Sequence, residues 1–295
     1  MKQYAYYPGC SLSAEGFGKA YDWSIKAVNK ELGIEFDEIE DWNCCGSVPY
    51  DTMHEEASFF ICARNLAIAE KKYADVVAPC SSCYVFLSRT NTYLKKYPAL
   101  KTKVDEALKA GGLEYKGTVR ARKVLDVYVN DIGFETIASK VKKNLNGLKV
   151  ACYYGCQEVR PIFGGRDHPE YPKYMDKLVT ALGAEAVTFP LKSRCCGGSL
   201  IISEEASSLK LIKELLDSAV SNGAEVMVTG CPLCQLNVDA YQAAVNRKYK
   251  TNYHLPVLYF TQLMGIAFGV PEKELGLKLS IVPAGKALAK IGDRG

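Results

Sequence analysis

With 295 residues, 48% of them hydrophobic, the chain can bury a large core, and its length suggests two domains. Charged residues at 24% exclude disorder, and a net charge of +4 is too weakly basic for nucleic-acid binding, though it suits an anionic small substrate or an acidic partner. Twelve cysteines are many for such a chain, and their spacing has to decide between disulfides and metal or redox chemistry.

In chain order, Met1-Lys2-Gln3-Tyr4 opens without a long apolar leader, so the expectation is a soluble, cytoplasmic protein. A β-prone run at 4–7 ends on Gly9 and Cys10. A helix at 20–32 is stopped by Gly33, and a second β-like run leads to Cys44-Cys45. A helix at 56–73 and a buried strand at 75–78 follow, the strand running straight into Cys80-Ser81-Ser82-Cys83. Leu125, Tyr128, Val129 and Ile132 then recur at helical spacing. The Asn146-Gly147 turn signal divides the chain into 1–147 and 148–295.

The same series then repeats. A run at 148–154 ends at Gly155 and Cys156, a helix at 174–182 is closed by Gly183, and Cys195-Cys196 follow. A helix at 204–222 and a strand at 225–229 lead to Cys231-Pro232-Leu233-Cys234. Residues 257–269 match the late helical stretch of the first half, and 283–295 read as a loosely held tail or partner-binding arm. The run 256–270 is too short and too polar at Thr261 and Gln262 to span a membrane, and the sequence offers no amphipathic basic helix for membrane docking. The expected fold is α/β: two similar Rossmann-like halves related by internal duplication, each a parallel sheet with flanking helices.

The cysteines carry the duplication. Cys10 is separated by 33 residues from Cys44-Cys45, and 34 more precede Cys80; Cys156 is separated by 38 from Cys195-Cys196, and again 34 precede Cys231. The flanks match as well: Asn43-Cys44-Cys45-Gly46 with Arg194-Cys195-Cys196-Gly197, and Glu55-Glu56-Ala57-Ser58 with Glu204-Glu205-Ala206-Ser207. Disulfide pairing would leave an odd cysteine in each five. A thioredoxin-like dithiol would explain Cys80 and Cys83 alone. Zinc in one half stays open, but adjacent cysteines in an extended segment point to opposite sides and close awkwardly on one small ion. A group with several irons accepts both thiolates on different metals, and the glycines beside the ligands allow close backbone approach. Cys62 and Cys152 stand outside both sets and read as core packing. The three histidines, His54, His168 and His254, are scattered and suggest no histidine metal site.

This duplicated pattern resembles the CCG-domain family and, over nearly the whole chain, the B-type chains of heterodisulfide reductases. The resemblance implies two noncubane 4Fe-4S clusters, one held by Cys10, Cys44, Cys45, Cys80 and Cys83, the other by Cys156, Cys195, Cys196, Cys231 and Cys234. It implies reduction of the mixed disulfide of coenzyme M and coenzyme B, lying between the clusters, with the cofactor and not an acid–base side chain carrying the chemistry. The chain contains no ferredoxin-type cysteine run, so the resemblance implies two partners: a flavin-containing subunit together with a ferredoxin-like iron–sulfur subunit. Relatives of the same domain type serve quinone-linked complexes, which makes an electron-transfer or quinone-reducing subunit of a succinate dehydrogenase-like or sulfur-metabolism complex the alternative. A substrate with anionic groups calls for basic residues, and Arg160, Arg166, Lys192 and Arg194, near the second set, are the candidates. The five extra residues before Cys195, within or near 161–169, are expected to form a loop.

Overall fold

The computed structural model describes residues 3–47, 49–160, 163, 167–289 and 291. Two four-stranded sheets organise them. The first uses β1 (Gln3–Tyr6), β2 (Glu35–Glu38), β3 (Asp75–Val77) and β4 (Arg120–Arg122), in the order β2-β1-β3-β4. The second uses β5 (Lys149–Tyr153), β6 (Glu185–Ala186), β7 (Val226–Thr229) and β8 (Val257–Tyr259), in the order β6-β5-β7-β8. Every pairing is parallel, with Tyr6 opposite Glu38 and Val77 in one sheet and Tyr153 opposite Thr229 in the other. Parallel strands need crossovers, and those crossovers cover both sheet faces, so the central strands are largely buried: all four residues of Val226–Thr229 are buried.

The strand order places the crevice. From β1 the chain crosses one way to β2 and the other way to β3, so the connections diverge at the carboxyl ends of β1 and β3, the position where open α/β sheets take ligands. β5 and β7 repeat this. Gly33, at φ 68°, ends the Lys19–Leu32 helix in the left-handed conformation, as the sequence signal requires.

The halves share one core. Val77, Tyr128 and Val124 of the first sheet's layer join Val150, Val228 and Phe260 of the second in a single buried cluster. At the seam Tyr21 stacks on Tyr259 with ring centres 4.4 Å apart, and Ser24 and Thr261 hydroxyls meet at 2.6 Å. The two sheets are therefore not beads on a string; removing one would expose the core of the other.

Two expectations need correction. The end of the chain is not a loose arm as far as residue 291: Gly285–Ala289 is helical, and Ala284, Ala287 and Ile291 are buried in the shared core. Residues 257–269 begin as a strand before turning helical at Phe260–Ala267. The Lys19–Leu32 helix spends its apolar face, Tyr21, Ile25 and Val28, on the shared core and leaves Trp23, Lys26 and Lys30 exposed. Of the expected second-half loop, residues 161–162 and 164–166 lie outside the described residues. No helix among the described residues is long and apolar enough to cross a membrane.

Candidate metal centres

All ten cysteines of the two sets stand at the carboxyl edges of the sheets. In the first half the sulfurs form one continuous path. Cys10 and Cys44 lie 3.9 Å apart, Cys44 meets its neighbour Cys45, Cys45 meets Cys83, and Cys83 meets Cys80. In the second half Cys156 meets Cys195, Cys195 meets Cys196, Cys196 lies 3.7 Å from Cys234, and Cys234 meets Cys231. The order of contact is identical. Among the described residues no group of three His, Cys, Asp or Glu side chains is placed to hold a single metal ion; the five sulfurs of each set are instead joined neighbour to neighbour.

Backbone conformation opens this path. Gly9 and Gly155, immediately before the first cysteine of each set, have φ of 66° and 71°. A Cβ on either would stand 2.8 Å from a cysteine sulfur, that of Cys83 in one half and Cys234 in the other. Only glycine satisfies both the angle and the space. The final pair of each set begins a helix: Cys80 precedes Ser81–Lys96, and Cys231 precedes Pro232–Ala240 with proline in the first turn. Helix starts present free N–H groups that favour negative charge.

The electrostatics follow. Donation from Cys10 and Cys45, and the Gly46 N–H, hold the Cys44 thiol far below its usual range; Cys156, Cys196 and the Gly197 N–H, 3.3 Å away, do the same for Cys195. The Cys83 thiol, with the backbone N–H groups of Cys83 and Ser82, brings Cys80 down to about 7 against its burial. Cys10, Cys83, Cys156 and Cys234 are pushed up by their sulfur neighbours and by burial, and Cys196 is pushed up to about 12, chiefly by Cys195. Five adjacent thiols cannot all ionise in a partly buried crevice without a compensating cation. The donor set, the continuous run of sulfur contacts and the glycine clearance fit a group held by all five sulfurs.

Two tyrosines that the sequence reading did not single out clamp the sites. Tyr7 donates to the Asn43 carbonyl at 2.7 Å, and Tyr153 donates to the Arg194 carbonyl at 2.7 Å, each fixing the residue before a cysteine pair. Both stand three positions before the first cysteine, and the repeated Tyr-Tyr run was the available signal. The backing beyond them differs. The Cys45 carbonyl accepts from the Cys62 thiol at 3.2 Å, whereas the Cys196 carbonyl accepts from the Asn237 amide at 2.8 Å. Cys62 thus packs directly behind a member of the first set. Cys152, fully buried on β5, belongs to the shared core.

A cavity of about 70 Å³ opens at the second set, lined by Cys156, Cys195, Cys231 and Cys234 together with Ser81 and Ser82 from the first half. The three described basic candidates do not line it. Lys192 is bound to Asp176 at 2.6 Å, Arg194 to Glu214 at 2.8 Å, and Arg160 donates to the Ser193 carbonyl at 2.8 Å; Arg166 lies outside the described residues.

The family model described as a cysteine-rich domain, CCG, matches residues 4–88 and 150–239, covering both cysteine sets. The chain belongs to the CCG family. The CCG chain is 36% identical to a Wolinella succinogenes protein described as the membrane anchor of 8-methylmenaquinol:fumarate reductase, over 97% of this chain and 99% of that one. It is 32% identical to the B chain of a ferredoxin/F420H2-dependent CoB-CoM heterodisulfide reductase from Methanosarcina acetivorans, over 91% and 90%. A crystal structure of a hypothetical protein from Helicobacter pylori superimposes with a TM-score of 0.77 at 16% identity; it covers 96% of this chain, which spans 52% of that one, and the likeness is one of fold.

Proposed function

We propose that this CCG chain is the catalytic iron–sulfur subunit of a heterodisulfide reductase-type complex, with Cys10, Cys44, Cys45, Cys80 and Cys83 holding one noncubane 4Fe-4S cluster and Cys156, Cys195, Cys196, Cys231 and Cys234 the other. The observation that carries the reading is the identity of the two sulfur paths, together with the crossing of first-half serines into the second set's cavity. Splitting a disulfide takes two electrons and two protons, and two matched sites on one seam suit a reaction divided into one-electron steps.

Bound clusters of this kind supply single electrons at low potential. The remaining roles belong to the chain. The cysteine sets hold and orient, and Gly9 and Gly155 keep the backbone clear of the sulfurs. Tyr7 and Tyr153 fix the cysteine pairs, while buried Leu12 and Tyr259 close the seam to water. Ser199 and the Gln157 side-chain amide N–H groups offer hydrogen bonds to the polar arms of a substrate in the cavity. The expected partners are an iron–sulfur electron donor and a flavin-containing protein, in the cytoplasm.

The test is anaerobic purification with iron and sulfide analysis, followed by steady-state reduction of a mixed disulfide using an artificial one-electron donor. About eight irons per chain and donor-dependent thiol release are expected. Iron-free protein with bound zinc would overturn the cluster reading; loaded protein without disulfide reductase activity would overturn the catalytic one.

A second reading, a quinol-linked role, is favoured by the exposed Trp23, Lys26 and Lys30 on the Lys19–Leu32 helix, bordered by Lys273, and by the membrane-anchor description of the Wolinella relative. An aromatic and a basic stripe suit an anionic bilayer surface. Co-sedimentation with anionic but not neutral vesicles, and turnover with a menaquinol analogue, would move the assignment to this reading.

A further inference from the structure

Glu158 stands two positions after Cys156 and is only 4% exposed. A carboxylate so buried needs compensation from charge and hydrogen bonds. The contacts supplying it come from the other half of the molecule. Ser81 Oγ donates to Oε2 at 2.7 Å, the Lys123 ammonium lies 3.4 Å from Oε1, and Lys123 also donates to the Glu158 carbonyl. One residue along, Ser82 donates to the Gln157 side chain. The two residues after the first cysteine of the second site are therefore bonded to the two residues between the last cysteines of the first site. The counterpart crossing is apolar: buried Leu12 stands two positions after Cys10, and a Cβ on Gly18 would stand 3.5 Å from Leu12 and 3.1 Å from the Cβ of Pro232.

We propose that Glu158 is a positioning residue that sets the Cys80–Cys83 geometry of the first site from the loop that carries Cys156 of the second, so that the two sites are mechanically one unit. The inference rests on the iron–sulfur reading. Ser81 is the first residue of the helix whose start holds Cys80 and Cys83, so a shift at its hydroxyl turns both sulfurs. Close-packed interiors transmit such shifts, and partners behind metal ligands commonly change metal affinity 10- to 100-fold when removed.

The experiment uses full-length, anaerobically loaded protein in a Cys196→Ser background, where only the first site is expected to keep its cluster. Iron release to a chelator and the electron paramagnetic resonance signal of the reduced state are compared for wild-type Glu158, Glu158→Gln and Glu158→Ala. Glu158→Ala should speed first-site iron release about tenfold and alter the signal. Glu158→Gln, which keeps an acceptor for Ser81, should fall between. Ser81→Ala, in the reciprocal Cys45→Ser background, should loosen the second site; in the Cys196→Ser background, Ser81→Ala with Glu158→Ala should release first-site iron no faster than the faster of the two single variants. Unchanged release and signal in folded Glu158→Ala overturn the inference. If that variant does not fold, unchanged release from the second site in Ser81→Ala overturns it. A parent protein without iron overturns the cluster reading as well; a loaded parent with inert variants overturns this inference alone.

Discussion

The two halves present the same sulfurs in the same order, behind the same tyrosine clamps and glycines, yet the support beyond these has changed. In the first half a thiol, Cys62, backs the cysteine pair, and the helix after Cys80 runs 16 residues; in the second an amide, Asn237, does the backing, and the helix after Cys231 stops after nine. One seam crossing is polar and ion-paired, the other apolar. Duplication has preserved the cysteines and let part of their surroundings diverge. Under the proposed function, that divergence would give two clusters with the same ligands different potentials, since surroundings tune the potential of a bound group.

The largest effect should come from asking whether the halves work together. Cys45→Ser and Cys196→Ser should each reduce disulfide reductase activity by more than about a hundredfold, and the double variant should be hardly worse, because groups acting as one unit lose function together. Each single variant should keep about half the iron by elemental analysis. Near-half activity in either one would break the two-site mechanism while leaving the ligand assignment intact.

Next in size are the glycines. Gly9→Ala and Gly155→Ala each force a Cβ to within 2.8 Å of a sulfur at a positive φ, so each should destabilise its own half by about 1–3 kcal/mol and lower iron occupancy there. Chemical denaturation and iron counts read both. Equal losses in the two variants would extend the equivalence of the halves from ligands to backbone.

Smaller still is the difference in backing. Asn237→Ala leaves the buried Cys196 carbonyl without its amide and should cost about 1–3 kcal/mol, whereas Cys62→Ala removes a weaker donor and should cost less and retain iron. Substantial iron loss in Cys62→Ala would make Cys62 a ligand. The smallest effect belongs to Cys152→Ala, on the shared core and away from the sulfur path: about 1 kcal/mol by thermal melting, with iron content unchanged.

Much of this was open to reading in the amino-acid order alone. The repeat, the ten cysteines, the strands entering each Cys-x-x-Cys and the Gly33 helix stop are local signals, because spacing and backbone conformation are encoded by neighbours in sequence. The sequence also carried the Gly-Cys pairs, although the positive φ at Gly9 and Gly155 became meaningful only with Cys83 and Cys234 beside them. Tertiary structure alone decided the rest. Tyr7 clamps a carbonyl 36 residues away, Glu158 finds Ser81 at a separation of 77, and Ser24 meets Thr261 across 237. It also turned Lys192 and Arg194 from substrate candidates into members of ion pairs with Asp176 and Glu214, and buried Ile291 in the common core. A hydrogen bond or ion pair between distant residues leaves no periodicity behind, so only the packing of the two sheets against one seam determines which charges are spent and which cysteine has what behind it.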